Sequence, residues 1–286
     1  MSKFLIVNAD DLGLSSGVDR GIVEAHEHGI VTSTTALANL PGAAAGIALV
    51  QRRAPTLGLG LHLNLTFGRP LLPPEAVPSL VGADGRFVGV TRGFFSTRRW
   101  HLAQVRLELE AQLGRFVELT GGLPDHLDSH QLVGSLSPVC RAVMLDLADT
   151  HALPVRRGGL PGLRVEREPS WGGHSATSLF KTWSTGTFMG VYARVSLEPD
   201  ALEVRFFDRG ATPETLLRIL SALPVGVTEL VCHPGYLDVP ADAYRGRETE
   251  LRALTDPRMR REIEERGIQL MTFRELLELK GSAPSS

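Results

Sequence analysis

The stretch KFLIVNADDLGLSS, residues 3–16, runs from apolar residues into two adjacent carboxylates and then a glycine. A continuous apolar run is typical of a strand buried on both faces, as in a parallel sheet covered by helices. Asp10 and Asp11 would then lie where this strand ends. Two neighbouring buried carboxylates require a metal ion, another cation or a shared proton. The alternative is that one of them only caps the helix that follows.

Six more strand candidates follow, and predicted helices separate them. They are residues 30–40, 57–65, 124–130, 153–157, 228–232 and 267–271. Strands that alternate with helices predict an α/β fold with a parallel sheet. At 286 residues, we expect a single-domain (β/α) barrel, regular or distorted, over residues 1–280 with a disordered tail at 281–286.

Two long segments interrupt this alternation, residues 66–98 and 158–190, and both are rich in glycine. Connections of this length inside a compact domain are more often lids or binding loops than neutral spacers. Exposed apolar residues in either segment would also suit a homodimer contact. The sequence leaves the choice between lid and dimer contact open.

The charge balance argues against nucleic acid, because 30 Lys and Arg residues against 32 Asp and Glu leave a net charge of −2 and no basic field. No apolar run approaches the roughly 20 residues of a membrane helix, and the first residues lack the pattern of a signal peptide. Cys140 and Cys232 are too few for a disulfide framework. We therefore expect a cytoplasmic protein with reduced thiols, without nucleic-acid or membrane partners.

Chemically capable side chains recur at or near the C-terminal ends of the predicted strands. They are Asp10, Asp11, His62, His130, Arg156 and His233. In barrels of parallel strands this end carries the chemistry, and the opposite end carries stability. The shared location favours one common site over six unrelated positions.

One carboxylate and two imidazoles form a good metal site that leaves positions open for water and substrate. We expect one divalent ion, with zinc favoured over magnesium because nitrogen ligands suit zinc better, although magnesium or another divalent ion remains an alternative. A second carboxylate can accept a proton from water, and a histidine across the cleft can protonate a leaving amine. This set of groups predicts amide hydrolysis.

Five ordered motifs carry a family resemblance: NADDLGLS at 8–15, GLHLNLT at 60–66, HLDSHQ at 126–131, LPVR at 153–156 and CHPGYLD at 232–238. Together they resemble the YdjC family, whose characterised members are chitooligosaccharide deacetylases. The resemblance covers residue 3 to about 275. It implies a barrel-like fold and removal of acetyl groups from a small carbohydrate.

The resemblance also implies a role for each candidate residue. Asp11, His62 and His130 would bind the metal, Asp10 would be the general base and His233 the general acid. Arg156 would orient Asp10. The spacing of Asp10 and Asp11 alone would permit the reverse assignment, and only the resemblance separates them.

The third motif departs from the family pattern and leaves two residues ambiguous. Family members often continue it as a run of histidines, whereas Gln131 follows His130 here, which leaves substrate contacts by such histidines in doubt. His126 and Asp128 share the strand face of His130, so either is a ligand or a group that orients an imidazole. We favour the orienting role for Asp128 and a structural role for His126.

Four further residues are weaker candidates for substrate binding. Asn39 and Asn64 would line the cleft by their position. Trp171 and Tyr236 would stack on sugar rings or would pack the long segments onto the barrel. Cys232 precedes His233, but adjacent strand residues point to opposite faces, which argues against a Cys-His nucleophile.

The sequence therefore predicts a metal-dependent hydrolase that deacetylates N-acetylated amino sugars, with short chitooligosaccharides as the expected substrates. A metallophosphoesterase that uses the same ligands is an alternative, although such sites often hold two metals and more carboxylates. A protein of the same fold that binds sugar without turnover, with a regulatory role, is another.

Overall fold

A computed structural model describes residues 2–88, 100–158, 197–238 and 244–281. Its centre is one parallel sheet of seven strands, in the order β4-β3-β2-β1-β6-β5 with β7 paired to β1. The strands are β1 Lys3–Leu12, β2 Ser33–Ala36, β3 Gly58–Leu63, β4 Leu127–Ser129, β5 Ala201–Glu203, β6 Gly226–Cys232 and β7 Ile268–Leu270.

Helices follow most of the strands and cover the outside of the sheet. They are α1 Ser16–Glu27, α2 Ala43–Arg53, α3 Leu102–Thr120, α4 Val133–Leu136, α5 Pro138–His151, α6 Pro213–Ser221, α7 Arg247–Leu254, α8 Pro257–Glu265 and α9 Phe273–Gly281. Their starts follow local chemistry, because the side chains of Ser15, Ser137, Thr212 and Asp256 each accept a hydrogen bond from a backbone N–H of the first turn.

The sheet curls into a barrel whose last gap is closed by two short links. Val155 forms an isolated parallel bridge with Leu127 of β4. Its N–H also donates to the carbonyl of Leu197, 2.9 Å away and shortly before β5. The predicted α/β single-domain barrel is confirmed in its distorted form, because a single residue stands where a full strand would complete the ring.

The strands differ from the predictions in length and number, and β3 and β4 are also shorter than predicted. Residues 153–157 form only this bridge, β2 has four residues where the sequence predicted eleven, and β5 was not predicted. β5 has only three residues, which is too short for a hydrophobic period to be recognised. Neighbouring strands stabilise such short segments, and the local pattern does not reveal those neighbours.

The two faces of β1 divide the core. Leu5, Val7 and Ala9 belong to the main apolar core beneath the helices. Ile6 belongs to a smaller apolar cluster with Val227, Met271, Phe273 and Leu276. Asn8 and Asp10 continue the face of Ile6 toward the C-terminal end of the strand. The barrel interior is therefore apolar at one end and polar at the end that carries the candidate site.

Parts of the predicted long segments lie outside the described residues. Within the first segment, residues 66–88 form turns and an antiparallel bridge between Val81 and Phe87. The second predicted segment is described only at Gly158, and the predicted tail only at Gly281. In the four described ranges, no helix has both the length and the apolar character needed to cross a membrane.

Candidate active site

A local irregularity at the end of β1 brings both adjacent carboxylates into one site. Side chains of consecutive strand residues normally point to opposite faces. Here the pairing of β1 with β2 changes register between Ala9 and Leu12, and Asp11 has a φ of 76°. This left-handed conformation is uncommon for a residue other than glycine and is typical of functional sites. It allows Asp11 to lie beside Asp10, since the alternation of the strand is broken between them.

Asp10 is held by a bidentate pair with Arg156. The two terminal nitrogens of Arg156 donate to Asp10 Oδ2 and Oδ1 at 2.8 and 2.7 Å, and its Nε donates to Glu229 at 2.7 Å. Burial opposes the ionisation of Asp10. Arg156, His62 and His233 outweigh it, so they hold the pKa of Asp10 well below its usual value. Asp10 is therefore a fixed, ionised carboxylate.

Asp11 uses only one oxygen in a comparable ion pair. Arg247, on the first turn of α7, donates to Asp11 Oδ2 at 2.8 Å. Oδ1 is buried, and no donor among the described residues forms a hydrogen bond with it. It lies 3.6 Å from His62 Nε2 and 3.7 Å from His130 Nε2. A buried carboxylate oxygen that faces two ring nitrogens is a natural position for a cation.

The other ring nitrogen of each histidine has its own partner. His62 Nδ1 lies 2.6 Å from Asp128 Oδ1, and His130 Nδ1 lies 2.7 Å from the Thr66 hydroxyl. Asp128 accepts the proton of His62 Nδ1, so Nε2 is the ring nitrogen that is left to face Asp11. The structure thus brings Asp128 to the orienting position expected for it.

The two histidines have opposite pKa shifts. Burial disfavours protonated His62, but Asp128, Asp10 and Asp11 raise its pKa to about 9. Burial lowers the pKa of His130 to about 4. The high pKa of His62 results from the negative charges around its Nε2. A divalent cation would neutralise these charges in place of the proton. The low value describes a neutral imidazole, the form that ligates metals.

A second group of possible ligands shares His62. Atoms of Asp10, His62 and Asp128 lie within 4.8 Å of one another. Arg156 is 2.7 Å from Asp10 Oδ1 and 2.9 Å from Asp128 Oδ2, so both carboxylates share one guanidinium. By contrast, Oδ1 of Asp11, which faces His62 and His130, has no hydrogen-bond donor among the described residues.

His233 lies across the site from Asp11, at the end of β6. Its Nε2 is 3.9 Å from Asp10 Oδ2, and its side chain is 20% exposed. Glu250 of α7 accepts the backbone N–H of His233, and its Oε1 lies 3.8 Å from His233 Nδ1. Burial disfavours the protonated ring, but Glu250, Asp10 and Asp11 raise the pKa of His233. His233 is therefore able to hold a proton at the open side of the site.

Three of the weaker candidates have other neighbours in the structure. Asn39 donates to the carbonyl of Arg69 at 2.9 Å, and Asn64 donates to Asn39 and Phe67, so these amides hold the turn after β3. The Tyr236 hydroxyl donates to Glu24 of α1 at 2.5 Å. Substrate contacts by these residues stay predictions. Trp171 lies outside the described residues.

His126 and Cys232 are both buried; the His126 ring nitrogens have no hydrogen-bond partner among the described residues, whereas the Cys232 thiol donates to the carbonyl of Asn8 at 3.3 Å. The His126 ring stacks on Phe273 with a centroid distance of 3.6 Å, and burial lowers its pKa to about 3. This surrounding agrees with the structural role expected for it. Burial also raises the pKa of the Cys232 thiol well above its usual value, which leaves it a poor nucleophile.

Three charged residues of the site were not predicted from the sequence: Arg247, Glu229 and Glu250. Glu229 carries a usable signal, because it is an acidic residue inside the predicted strand TELVC. Arg247 and Glu250 belong to a helix without any comparable pattern. Their contacts with residues far away in the chain identify them only in the folded protein.

Fold and site together define a parallel α/β barrel that brings carboxylates and imidazoles together at the C-terminal ends of its strands, as a candidate cation site. The family model described as YdjC-like protein matches residues 4–265. The chain therefore belongs to the YdjC-like family, as its motifs indicated.

Relatives match over nearly their whole length. The chain is 36% identical to a carbohydrate deacetylase of Geobacillus stearothermophilus over 284 residues, which covers 98% of this chain and 100% of that protein. It is 34% identical to a chitooligosaccharide deacetylase of Proteus mirabilis HI4320 over 285 residues, at 97% and 100% coverage. The crystal structure of a protein from Enterococcus faecalis V583, provisionally assigned to cellobiose-phosphate cleavage, matches with a TM-score of 0.79 at 33% identity, over 96% and 99% of the two chains.

Proposed function

We propose that this protein is a metal-dependent hydrolase that removes the acetyl group from N-acetylated amino sugars. One observation carries the proposal: the buried, unpaired Oδ1 of Asp11 faces Nε2 of both His62 and His130. The names of the relatives, carbohydrate deacetylase and chitooligosaccharide deacetylase, supply the substrate class. Short chitooligosaccharides are the substrates that we expect.

Asp11, His62 and His130 would hold one divalent ion, with zinc favoured because two of the three ligand atoms are nitrogens. A cation in this position would polarise the amide carbonyl and make a nearby water molecule easier to deprotonate. Asp128 and Thr66 support this ligand set, because each engages the Nδ1 atom of one histidine and leaves Nε2 for the ion.

Asp10 is the proposed general base. Its Oδ2 lies 3.8 Å from His62 Nε2 and 3.9 Å from His233 Nε2, which places it between the cation ligands and the proposed acid. It accepts the proton of the water that attacks the amide carbonyl. Arg156 keeps this carboxylate ionised and oriented, although the same ion pair makes it a weaker base.

His233 is the proposed general acid. When the carbon–nitrogen bond of the amide breaks, protonated His233 delivers its proton to the departing nitrogen, so that acetate and a free amine leave. The raised pKa of His233 favours the protonated form that this step needs. Its partial exposure suits a group that must meet a sugar entering from solvent.

The test is acetate release from a panel of N-acetylglucosamine oligomers by the zinc-loaded protein. We expect Asp10→Asn to keep zinc binding and to lose about 10²- to 10⁴-fold in turnover, the range typical of general base catalysis. His62→Ala should lose both zinc and turnover. Unchanged acetate release by Asp10→Asn would exclude Asp10 as the base.

The same experiment separates the alternatives. Phosphate release from phosphorylated sugars without acetate release would favour a metallophosphoesterase. Calorimetric binding of the oligomers by the wild-type protein without any hydrolysis would favour a sugar-binding protein of the same fold.

A further inference from the structure

Phe207 combines exposure and aromatic character at the mouth of the barrel. Its side chain is 40% exposed, and it is the single exposed aromatic residue in the part of the chain that the structure describes. It follows β5 closely, on the same side of the barrel as His233. A singly exposed apolar residue is ordinary on a protein surface, so the inference rests on the contacts of this ring with His233 and Tyr244.

The ring of Phe207 is part of a fixed aromatic group. It stacks on Tyr244 with a centroid distance of 4.4 Å and an interplanar angle of 10°. It also meets His233 edge to face at 5.4 Å and 75°. Stacked and edge-to-face contacts at these distances are favourable. One face of the Phe207 ring is therefore covered by Tyr244, and its edge lies next to the proposed acid.

The support behind this group is rigid. The Tyr244 hydroxyl donates to Glu250 and accepts the backbone N–H of Asp208 at 2.6 Å. Asp208 has a φ of 53°, an uncommon left-handed conformation directly after Phe207. These two hydrogen bonds hold the Tyr244 ring on which Phe207 stacks.

We propose that Phe207 binds the apolar face of the pyranose ring that carries the amide. The inference rests on the proposed function, because His233 must come within about 3 Å of the amide nitrogen to protonate it. The sugar ring attached to that nitrogen then lies within reach of Phe207, whose centroid is 5.4 Å from that of His233. Pyranose rings present C–H bonds on one face, and these pack on an aromatic surface. Phe207 would thus have the stacking role predicted for Trp171 and Tyr236.

The test compares Phe207→Leu and Phe207→Tyr with the zinc-loaded wild-type protein on N,N′-diacetylchitobiose. Leucine keeps apolar volume and removes the flat ring, so we expect KM to rise about 10-fold with a smaller change in kcat. Tyrosine keeps the ring and should stay within about 2-fold of wild type. Leu123→Ala is the matched control, because Leu123 is an exposed apolar residue, at 51%, in the groove between α3 and α5.

Two further measurements separate binding from an indirect effect on His233. An acyclic N-acetylated amine should be hydrolysed equally by wild type and Phe207→Leu, since it lacks the sugar ring. If the substitution instead lowers kcat equally for both substrates, or shifts the pH profile, Phe207 only supports His233 and the inference is wrong. Zinc affinity should be unchanged.

Failure of the proposed function is distinguishable from failure of this inference. If wild type releases no acetate, calorimetry with N,N′-diacetylchitobiose tests the sugar contact directly. Weaker binding by Phe207→Leu than by wild type supports the contact. Equal binding by the two proteins, or no binding by wild type, overturns it. If wild type does release acetate and Phe207→Leu has the same KM, the function stands and the inference is overturned.

Discussion

Asp11 and Asp19 belong to the same strand–helix unit and are equally buried, at 4% exposure each, yet their pKa values shift in opposite directions. Burial opposes ionisation at both positions. At Asp11, Arg247 and three histidines outweigh burial and lower the pKa far below its usual value. At Asp19, burial dominates and raises the pKa to about 6.

The neighbours of Asp19 explain the difference. Its Oδ1 accepts the backbone N–H of Gly13 at 2.7 Å, and α2 packs against it at Gly46, where an added Cβ would lie 2.9 Å from the same oxygen. Asp19 thus links the turn after β1 to two helices. The two carboxylates are therefore distinguished by the cations and ring nitrogens around Asp11 and not by burial.

Removing the charge of Asp11 should have the largest effect on the cation site. We expect Asp11→Asn to weaken zinc binding by more than about 100-fold, because even outer partners of metal ligands contribute 10- to 100-fold. Asp19→Asn is the matched control and should bind zinc like wild type. Calorimetric zinc titration of the metal-free proteins measures both. Equal zinc affinities of the two variants would show that Asp11 contributes no more to zinc binding than Asp19 does.

Arg247 is expected to matter for both stability and zinc binding. Arg247→Met leaves the Asp11 carboxylate buried without its partner, so the free energy of unfolding of the metal-free protein should fall by about 3–5 kcal/mol. Zinc affinity should fall about 10- to 100-fold, because Oδ2 is no longer fixed. Chemical denaturation and zinc titration provide the two readouts.

Arg53→Met is the control for Arg247. The Arg53–Glu27 pair has a length of 2.6 Å, but Arg53 is 57% exposed, so its loss should cost less than about 1 kcal/mol. Similar costs for the two substitutions would mean that the buried pair is no stronger than the surface pair. Unchanged zinc affinity in Arg247→Met would show that Arg247 does not position Asp11.

The smallest expected effect is a pH dependence of stability at Asp19. Its pKa rises from 3.8 to about 6 on folding, so the native state binds the proton more tightly than the unfolded state. Its contribution to stability is fully present below pH 3.8 and is lost as the pH rises through 6. Asp19→Asn cannot titrate, so the difference between its unfolding free energy and that of wild type should change by up to about 3 kcal/mol between pH 4 and 7.

Unfolding by urea at several pH values measures this difference. A difference that stays constant from pH 4 to 7 would show that Asp19 titrates normally despite its burial. Only Asp11, at the candidate cation site, would then have a pKa that is shifted by its surroundings.

Much of the framework of the site is predictable from the sequence alone. The apolar run in residues 3–16 identified β1, and the alternation of side chains along a strand placed Asp128 on the same face as His126 and His130. Parallel strands end at the same edge of a barrel, so residues far apart in sequence were expected to meet there. The barrel and the meeting of Asp10, Arg156 and His233 follow from these local rules.

The contacts between individual atoms of the site are known only from the folded protein. The register shift in β1 and the positive φ of Asp11 place both carboxylates in the site. Neither feature is predicted by the pattern of residues in this stretch of sequence. Arg247 lies 236 residues from its partner Asp11, and the rings of Phe207 and Tyr244 both contact the ring of His233. Such contacts depend on the packing of segments that are distant in the sequence. The periodicity of apolar residues indicates only which side of each segment is buried, and it does not identify the segment that packs there.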